Sequence, residues 1–305
     1  MPSTPILPSS PQCCSKKAFS AMKRVVAMLD RPRAPDEDAL LEGAVAIAQQ
    51  AMPKVEKLQV EDSLDEFADQ INARVRGPQW QARIAHLHDV LFDQEGFIGN
   101  TLNYHDAANS YLPRVLETRR GLPITLSLVY KLVAKRIGLS VRGIGLPGHF
   151  IVGVETPELS SDSKLHMGLN SGFHSGLMLI DPFFGGTLIT ADEALDRMRD
   201  TYGPEVEWSS DLLEPISDRH WLTRLIQNLL HSHSQAGRMN DVAAMIEMQM
   251  LLWPSQTHLQ RDLGLVLARI GMTRPATAWL GRYLDACPDD PQKFDIEQLL
   301  QVLSA

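Results

Sequence analysis

The sequence predicts an α+β domain that is followed by an all-α repeat region. Apolar residues recur at helical spacing in the first hundred residues, short apolar runs punctuated by Gly follow in the middle, and Gly and Pro recur at a fixed offset near the C-terminus. The length of 305 residues is about twice that of a usual domain, which favours two folded domains.

The N-terminal part is predicted to be helical after a disordered start. The first residues are rich in Pro and Ser and contain no apolar segment of the kind that a secretory signal needs, so 1–35 is predicted to be a disordered tail. Apolar residues then recur every three or four positions over 36–51, 62–75 and 78–92. We expect these helices to form the N-terminal part of a domain that spans 36–218.

The middle of the chain is predicted to contain a small antiparallel sheet. The runs 141–146, 150–155 and 177–181 are short, apolar and bounded by Gly or Pro, as strands are. Residues 155–176 between the last two are polar and rich in Ser and Gly. We expect an exposed loop there, with an active-site lid as the alternative.

The C-terminal region, 219–305, is predicted to consist of helical repeats. Gly237 and Gly271 are separated by the same interval as Pro254 and Pro288. Each Gly falls between two apolar helical runs and each Pro follows the second run, and a period of about 34 residues is typical of the tetratricopeptide repeat. The predicted units are 221–254 and 255–288, with a capping helix over 290–303.

A central helix is predicted in the best-patterned part of the chain. Gly121 and Pro123 open it, because Pro is preset for the first helical turn, and Gly138 ends it. Its apolar spacing directs Thr125 inward and Ser127 outward. If either hydroxyl had a chemical role, Thr125 would be the better placed.

His149 and Asp181 are predicted to be neighbours in the sheet. His149 opens one strand and Asp181 closes another, and an antiparallel pairing of these two residues also sets Ile151 opposite Leu179. An Asp that accepts a hydrogen bond from imidazole fixes its tautomer, which is the supporting half of a nucleophile, His and Asp triad. A buried His held by a carboxylate for packing is the alternative.

Four blocks of this region carry a resemblance to a known family. They are NYHDAANSYL (103–112), RRGLPITLSLVY (119–130), GLPGHFIV (145–152) and IDPFFGG (180–186). In combination they resemble the transglutaminase-like family of bacterial proteins of the SirB type, which carry C-terminal tetratricopeptide repeats. The resemblance covers about residues 36–303 and implies a papain-like transglutaminase fold for the first domain.

The resemblance also implies that the catalytic triad is incomplete. Active members have Gly-x-Cys at a helix start, then His and Asp on neighbouring strands. With Gly121 aligned, Pro123 stands where the cysteine belongs, and His149 and Asp181 take the other two places. The three cysteines, Cys13, Cys14 and Cys287, lie in the predicted tail and the last repeat, so by sequence position they cannot substitute.

Further residues of the matched blocks are candidates for binding. Arg119 and Arg120 are expected to be a solvated pair, and because they precede a helix N-terminus the alternative is that they bind an anion or carboxylate, with Arg120 as the candidate binding residue. Asn109 could contact a ligand or cap a helix over 111–117. Tyr104 and Phe150, which lie in the blocks 103–112 and 145–152, are the other two candidate binding residues.

Composition excludes other classes of function. With 29 Lys and Arg against 37 Asp and Glu, the net charge of −8 gives no reason to expect binding to nucleic acid or to a membrane. The pairs His86 and His88, and His231 and His233, lie two apart on predicted helices and cannot chelate one metal ion. We expect no cofactor. Three cysteines without a disulfide pattern are typical of a cytoplasmic protein.

Three functional hypotheses follow from these observations. The first is a non-catalytic or catalytically divergent domain that binds a peptide or small ligand in its old cleft, with repeats that recruit a protein partner. The second is a hydrolase or acyl transferase in which Thr125 or water, activated by His149 and Asp181, replaces the thiolate. The third is an interaction scaffold with a filled, inert cleft.

Overall fold

The computed structural model describes residues 10–31, 38–156, 173–174, 176–203, 205, 207 and 209–304. It divides into two compact units. The mixed unit is 55–221, and the helical unit combines Met1–Lys54 with Leu222–Ala305. In chain order the helices and strands are α1 (Lys16–Leu29), α2 (Ala39–Ala51), α3 (Lys57–Asn72), α4 (Trp80–His88), β1 (Ile98–Gly99), α5 (Leu112–Thr118), β2 (Arg120–Gly121), α6 (Pro123–Arg136), β3 (Val141–Ile144), β4 (Ile151–Glu155), β5 (Phe173–His174), β6 (Leu177–Asp181), β7 (Thr187–Leu188), α7 (Ala191–Tyr202), α8 (Asp218–Gln235), α9 (Met239–Leu252), α10 (His258–Arg269), α11 (Thr273–Ala286) and α12 (Lys293–Ser304).

The helical unit repeats its geometry at a fixed interval along the chain. Helices α9 and α11 have the same length, and both their ends are offset by the same interval as Gly237 and Gly271. These two glycines precede the helices with φ of 68° and 79°, a left-handed conformation that Gly adopts without strain. Polar contacts repeat as well: Trp253 donates to Thr223 at 2.7 Å, and Thr257 and Cys287, one interval further along, lie 3.4 Å apart. The period is therefore structural, while the tetratricopeptide assignment stays a prediction.

The predicted tail over 1–35 is wrong for the residues that the structure describes, because α1 lies inside it. Ser15 caps α1 by accepting from the amide of Ala18, and the helix buries Phe19, Met22 and Val25. Pro and Ser before the helix indicated disorder, but Ser at an N-cap starts a helix, and an apolar stripe is stable once other helices cover it.

The segment before α1 that the structure describes is held by a buried acid. Glu247 on α9 is fully buried and accepts hydrogen bonds from the backbone amides of Gln12, Cys13 and Cys14, the last at 2.7 Å. Both α1 and α2 pack against α9. Helix α2 therefore groups with the C-terminal helices, and not with the 36–218 domain in which the sequence had placed it.

The mixed unit combines helices with two small sheets. Strands β1 and β2 pair in parallel, and the second sheet has the order β3-β4-β6-β5 with β7 beside β6. Helix α4 continues as a π-helical segment, Asp89–Gln94, so the predicted helix over 78–92 is present in two parts. A hydrophobic cluster joins the second sheet to α7, and its members include Ile144, Leu146, Ile151, Leu179, Ala194 and Met198.

Helix α6 lies at the centre of the mixed unit and confirms the predicted helix. Pro123 is its first residue, and Gly138 beyond its end has a φ of 76°. Thr125 points inward as predicted and is fully buried. Ser127 is fully buried too, so the prediction that it faces solvent is wrong: nearly the whole first half of α6 is covered, which one apolar stripe does not reveal.

The predicted loop over 155–176 lies largely outside the described residues. Its described end, Phe173–His174, forms β5 and pairs with β6. Among the helices that the structure describes, none has the length and apolar character needed to cross a membrane.

Candidate functional site

His149 and Asp181 are in contact, as the sequence predicts. Nε2 of His149 lies 2.6 Å from Oδ2 of Asp181. The predicted strand register is nevertheless wrong by two residues, because Gly153 and not Ile151 stands opposite Leu179. Side chains alternate along a strand, so a shift of two residues keeps both groups on the same face of the sheet. His149 reaches the carboxylate from the turn that precedes β4.

The carboxylate of Asp181 is buried and held in a tight turn. Its side chain is 0% exposed, and Oδ1 accepts a hydrogen bond of 3.0 Å from the amide of Phe183. Gly185 and Gly186 follow with φ of 69° and 73°, and the amide of Gly186 returns to the carbonyl of Asp181 at 2.9 Å. A Cβ on Gly186 would lie 2.3 Å from the Phe92 ring, so the turn packs closely against the π-helical segment.

Arg197 is a third charged member of the site, and the sequence did not single it out. It lies on α7, and its guanidinium forms an ion pair with Oδ2 of Asp181. It also stacks on the Phe184 ring, with 4.6 Å between the guanidinium carbon and the ring centroid. Burial lowers the pKa of Arg197 from its usual value. The available sequence signal was its position three residues after Ala194, at the edge of the buried stripe of α7.

Aromatic rings surround the imidazole. The centroids of Phe183 and Phe184 lie 6.0 and 6.1 Å from that of His149, and Tyr104 lies 6.1 Å from Phe183. Phe184 is 53% exposed and Tyr104 is 37% exposed, whereas the His149 side chain is 10% exposed. The three rings thus form an aromatic rim, defined here as Tyr104, Phe183 and Phe184, beside a nearly covered imidazole. Tyr104 and Phe184 are exposed, whereas Phe183 is buried.

The start of α6 lies close to this rim. Gly121, two residues before Pro123, pairs with Gly99, and a Cβ on Gly99 would lie 2.4 Å from the Phe183 ring. Helix α6 also packs against the 3-10 turn Pro182–Phe184. Pro123 has neither a nucleophilic side chain nor a backbone N–H. The helix start at the predicted nucleophile position therefore lacks both a thiol and one amide donor.

Thr125 is not hydrogen-bonded to His149. Its Oγ1 is buried and makes no hydrogen bond within the part of the chain that the structure describes. A nucleophilic hydroxyl needs a base within hydrogen-bond reach. The geometry of this structure does not bring the two together.

The other predicted binding residues have different environments. Arg120 is exposed on β2. Asn109 is 3% exposed, and its side-chain amide donates to the backbone carbonyls of Asn103 and Tyr104, while its backbone carbonyl accepts from the amide of Leu122. It thus ties the Tyr104 segment to the start of α6 and does not cap α5, whose N-cap is Tyr111.

Phe150 and Arg119 have structural environments. Phe150 is 1% exposed and packs against Trp221 at 4.6 Å between centroids, inside the core and away from solvent. Arg119 has a φ of 60°, pairs with Glu95 at 2.7 Å, and lies 5.0 Å from the Phe97 ring. The prediction of two solvated arginines therefore holds for Arg120 and is wrong for Arg119.

The described residues contain no candidate metal-binding site. Over the described ranges, no group of three or more His, Cys, Asp and Glu side chains could hold a metal ion. The site consists of one imidazole, one carboxylate and one guanidinium beside aromatic rings.

Comparison with known proteins matches this region to one family. The model of the transglutaminase-like superfamily matches residues 58–227. A UPF0162 protein of Xylella fastidiosa strain 9a5c is 28% identical over 253 residues, which are 82% of this chain and 84% of that protein. The UPF0162 protein of Pseudomonas aeruginosa strain PAO1 is 28% identical over 269 residues, 88% of this chain and 86% of that protein.

A more distant similarity covers part of the chain. Human F-box only protein 21 is 27% identical over 154 residues, which are 43% of this chain and 24% of that protein. No solved structure gives a significant match. Because the family model matches more than half of the chain, and because the His149 and Asp181 contact lies within the matched residues, the protein belongs to the transglutaminase-like superfamily.

Proposed function

We propose that the mixed unit is a non-catalytic or catalytically divergent transglutaminase-like domain that binds a peptide or small ligand beside His149 and Asp181. The observation that carries this proposal is the combination of a retained imidazole and carboxylate contact, 2.6 Å long, with Pro123 at the expected cysteine position. The supporting half of a triad is present, and the group that it would support is absent.

Two chemical losses at Pro123 argue against acyl transfer. The pyrrolidine ring has no thiol, so no covalent acyl intermediate can form at this position. It also has no N–H, and amides at helix N-termini are typical donors to an oxyanion. Removing a single such donor costs an acyl-transfer enzyme about a hundredfold or more in rate. The substitution thus removes the nucleophile and one potential donor together.

The two exposed rings of the aromatic rim favour a binding role over an inert scaffold. Phe184 and Tyr104 present large apolar surfaces to solvent. The ring of Phe184 contacts the imidazole, and the ring of Tyr104 contacts Phe183, which is a neighbour of the imidazole. Aromatic side chains with a polar partner are enriched at binding surfaces because they supply contact area at small entropic cost. A peptide that lies across this rim would contact both rings.

A water-dependent hydrolase is the second candidate. The specific observation that favours it is the hydrogen bond between Asp181 and the imidazole, which is the arrangement that orients a general base. The threonine version receives no such support, because the buried Thr125 hydroxyl has no hydrogen bond to His149. The binding domain and the hydrolase would both use His149 and Asp181, so a measurement of catalytic activity is needed to distinguish them.

An amine-transfer and hydrolysis assay tests the proposal. Purified protein would be incubated with a glutaminyl peptide and a labelled primary amine, and both amine incorporation and ammonia release would be measured. We expect no turnover by the natural protein and gain of turnover, or of thiol reactivity toward iodoacetamide, in Pro123→Cys. In the double variant Pro123→Cys with His149→Ala, the turnover should vanish and the rate of alkylation should fall toward that of an ordinary thiol. Turnover by the natural protein that His149→Ala abolishes would contradict the binding role and support the hydrolase.

Binding itself is tested by titration. A glutaminyl peptide and an apolar peptide of equal length would be added to isotope-labelled protein, and the ring signals of His149 and Phe184 would be followed. We expect shifts in the natural protein that weaken at least tenfold in affinity in Phe184→Ala, since one buried aromatic contact contributes about 2 kcal/mol. Phe294→Ala is the control, because Phe294 is an exposed aromatic on α12 in the helical unit.

We also infer that the helical unit recruits a protein partner, as the regular period of its helices and the exposed Phe294 and Val302 suggest. Proteins that co-purify with the full-length chain, and not with the double variant Phe294→Ser and Val302→Ser, would support this. Equal recovery with both chains would contradict it. The cytoplasmic location stays a prediction from the cysteine content.

A further inference from the structure

We infer that Arg197 is a positioning residue that sets the proton of His149 on Nε2 and so leaves Nδ1 as the acceptor nitrogen of the ring. The inference rests on the proposed function only in taking His149 and Asp181 as the binding site. It adds Arg197 to that site as a third residue and states which nitrogen of the His149 ring carries the proton.

Two side chains contact the same carboxylate oxygen of Asp181. Oδ2 of Asp181 receives both Nε2 of His149, at 2.6 Å, and the guanidinium of Arg197. Oδ1 receives the amide of Phe183 at 3.0 Å. An ionised carboxylate only accepts hydrogen bonds, so Nε2 must carry a hydrogen as long as Asp181 is ionised.

Burial by itself works against that state. The side chain of Asp181 is 0% exposed, and loss of solvent disfavours the charged form of a carboxylate. The nearby guanidinium opposes this effect, because a cation within contact distance favours the ionised carboxylate. The Phe183 amide acts in the same direction as a hydrogen-bond donor.

If Arg197 sets the protonation state of His149, its loss has two possible proton outcomes, and both add a proton at Nδ1. If Asp181 then takes up a proton, it donates to Nε2, and the neutral ring must carry its own hydrogen on Nδ1. If Asp181 stays ionised, a second proton on the ring restores the charge balance, and that proton also lies on Nδ1. Protonation of Nδ1 therefore reports the role of Arg197 whichever outcome occurs.

Arg197 is itself held in place by its surroundings. Helix α7 is anchored through Ala194, Leu195 and Met198 in the hydrophobic cluster, and the guanidinium stacks on Phe184 at 4.6 Å. The Phe184 ring also lies 6.1 Å from the His149 ring, measured between centroids. The groups that face His149 from the packed elements include Asp181 on β6, Arg197 on α7, and the two Phe rings of the 3-10 turn.

Nitrogen NMR of the imidazole tests this inference in the ligand-free, full-length protein at pH 7. Long-range spectra report which ring nitrogen carries the proton. We expect an unprotonated Nδ1 in the natural protein and a rise of about tenfold or more in the ratio of protonated to unprotonated Nδ1 in Arg197→Gln, as a contact charge shifts such equilibria by at least one order. Arg197→Lys keeps the charge and should restore most of the natural state.

A matched control separates this role from general stability. Arg199→Gln removes an arginine of the same helix that is 43% exposed and pairs with Asp196, and it should leave the His149 signals unchanged. A folded Arg197→Gln protein with an unprotonated Nδ1 would overturn the inference. If that variant does not fold, a protonated Nδ1 in the natural protein would overturn it alone. Neither result depends on peptide binding or turnover, so failure here is distinct from failure of the proposed function.

Discussion

The ring of Phe183 occupies the space that a side chain on Gly99 would need. A Cβ on Gly99 would lie 2.4 Å from the ring, and Gly99 pairs directly with Gly121 of β2. Phe183 in turn contacts His149 at 6.0 Å between centroids. The bare backbone of Gly99 therefore lets the turn after Asp181 approach the strand pair that leads into α6.

Gly99→Ala should displace the Phe183 ring and destabilise the mixed unit by about 1–3 kcal/mol, the usual cost of overpacking. Urea unfolding would measure the loss, and the His149 ring signals should shift. Gly281→Ala is the control, because a Cβ at this helical position meets no atom within 4 Å. It should be neutral or stabilising by up to about 1 kcal/mol. Equal effects of the two substitutions would contradict the packing argument.

Glu247→Gln should loosen residues 12–14. The substitution replaces one carboxylate oxygen with an NH2 group, which cannot accept a hydrogen bond from a backbone amide, so at least one of the three bonds is lost. Burial raises the pKa of Glu247, so removal of the buried charge offsets part of this loss, and we expect a net destabilisation of about 1 kcal/mol. Hydrogen exchange at Cys13 and Cys14 should accelerate. Glu297→Gln, at a 48% exposed ion pair on α12, should cost less than about 0.5 kcal/mol. Unchanged exchange at the two cysteine amides would be inconsistent with the role of Glu247.

His88 should make the protein less stable in mild acid. Burial lowers the pKa of His88 from 6.5 to about 4, and its Nε2 lies 3.0 Å from the hydroxyl of buried Tyr130. The folded state therefore holds this proton less tightly than the unfolded state, so the contribution of His88 is present above pH 6.5 and is lost as the pH falls toward 4. The loss approaches about 3 kcal/mol.

Unfolding curves of the natural protein and of His88→Gln between pH 7 and pH 4 would measure this effect. Glutamine keeps a hydrogen-bonding group near Tyr130 but does not titrate, so its stability should fall less steeply. Parallel profiles of the two proteins would show that His88 is not responsible.

Thr125→Val should stabilise the mixed unit or leave it unchanged, by about 0–1 kcal/mol, because it removes a buried hydroxyl that has no hydrogen bond among the described residues. Thr118→Val is the contrasting control, since Thr118 donates to the carbonyl of Arg114 at 2.8 Å and its loss should destabilise slightly. Thermal unfolding distinguishes the two. A clear loss of stability in Thr125→Val would reveal a hydrogen bond that the structure does not contain.

Local patterns predicted the elements whose causes are local. Pro123 and Gly138 bound α6 because each has a backbone preference that acts without distant partners. The strands β3, β4 and β6 were predicted within two residues at each end for the same reason. The fixed interval between the two Gly and between the two Pro also appears in the bounds of α9 and α11.

Other features depend on contacts between residues far apart in the chain. The sequence does not predict the amphipathic helix α1, because its stability comes from packing against helices α2 and α9, and no local pattern encodes that packing. The strand register was wrong by two residues because alternation fixes which face a side chain occupies and not its exact partner.

The sequence by itself determined the mixed helical and sheet character of the transglutaminase-like domain, the central helix that begins at Pro123, and the contact of His149 with Asp181. The assignment of Pro123 to a cysteine position stays a prediction. Only the tertiary structure decided that Arg197 shares the carboxylate, that Thr125 is sealed in the core, and that the first helices join the last ones. The physical reason is that backbone preferences and side-chain periodicity act over a few residues, whereas burial and charge neutralisation depend on which distant elements come together.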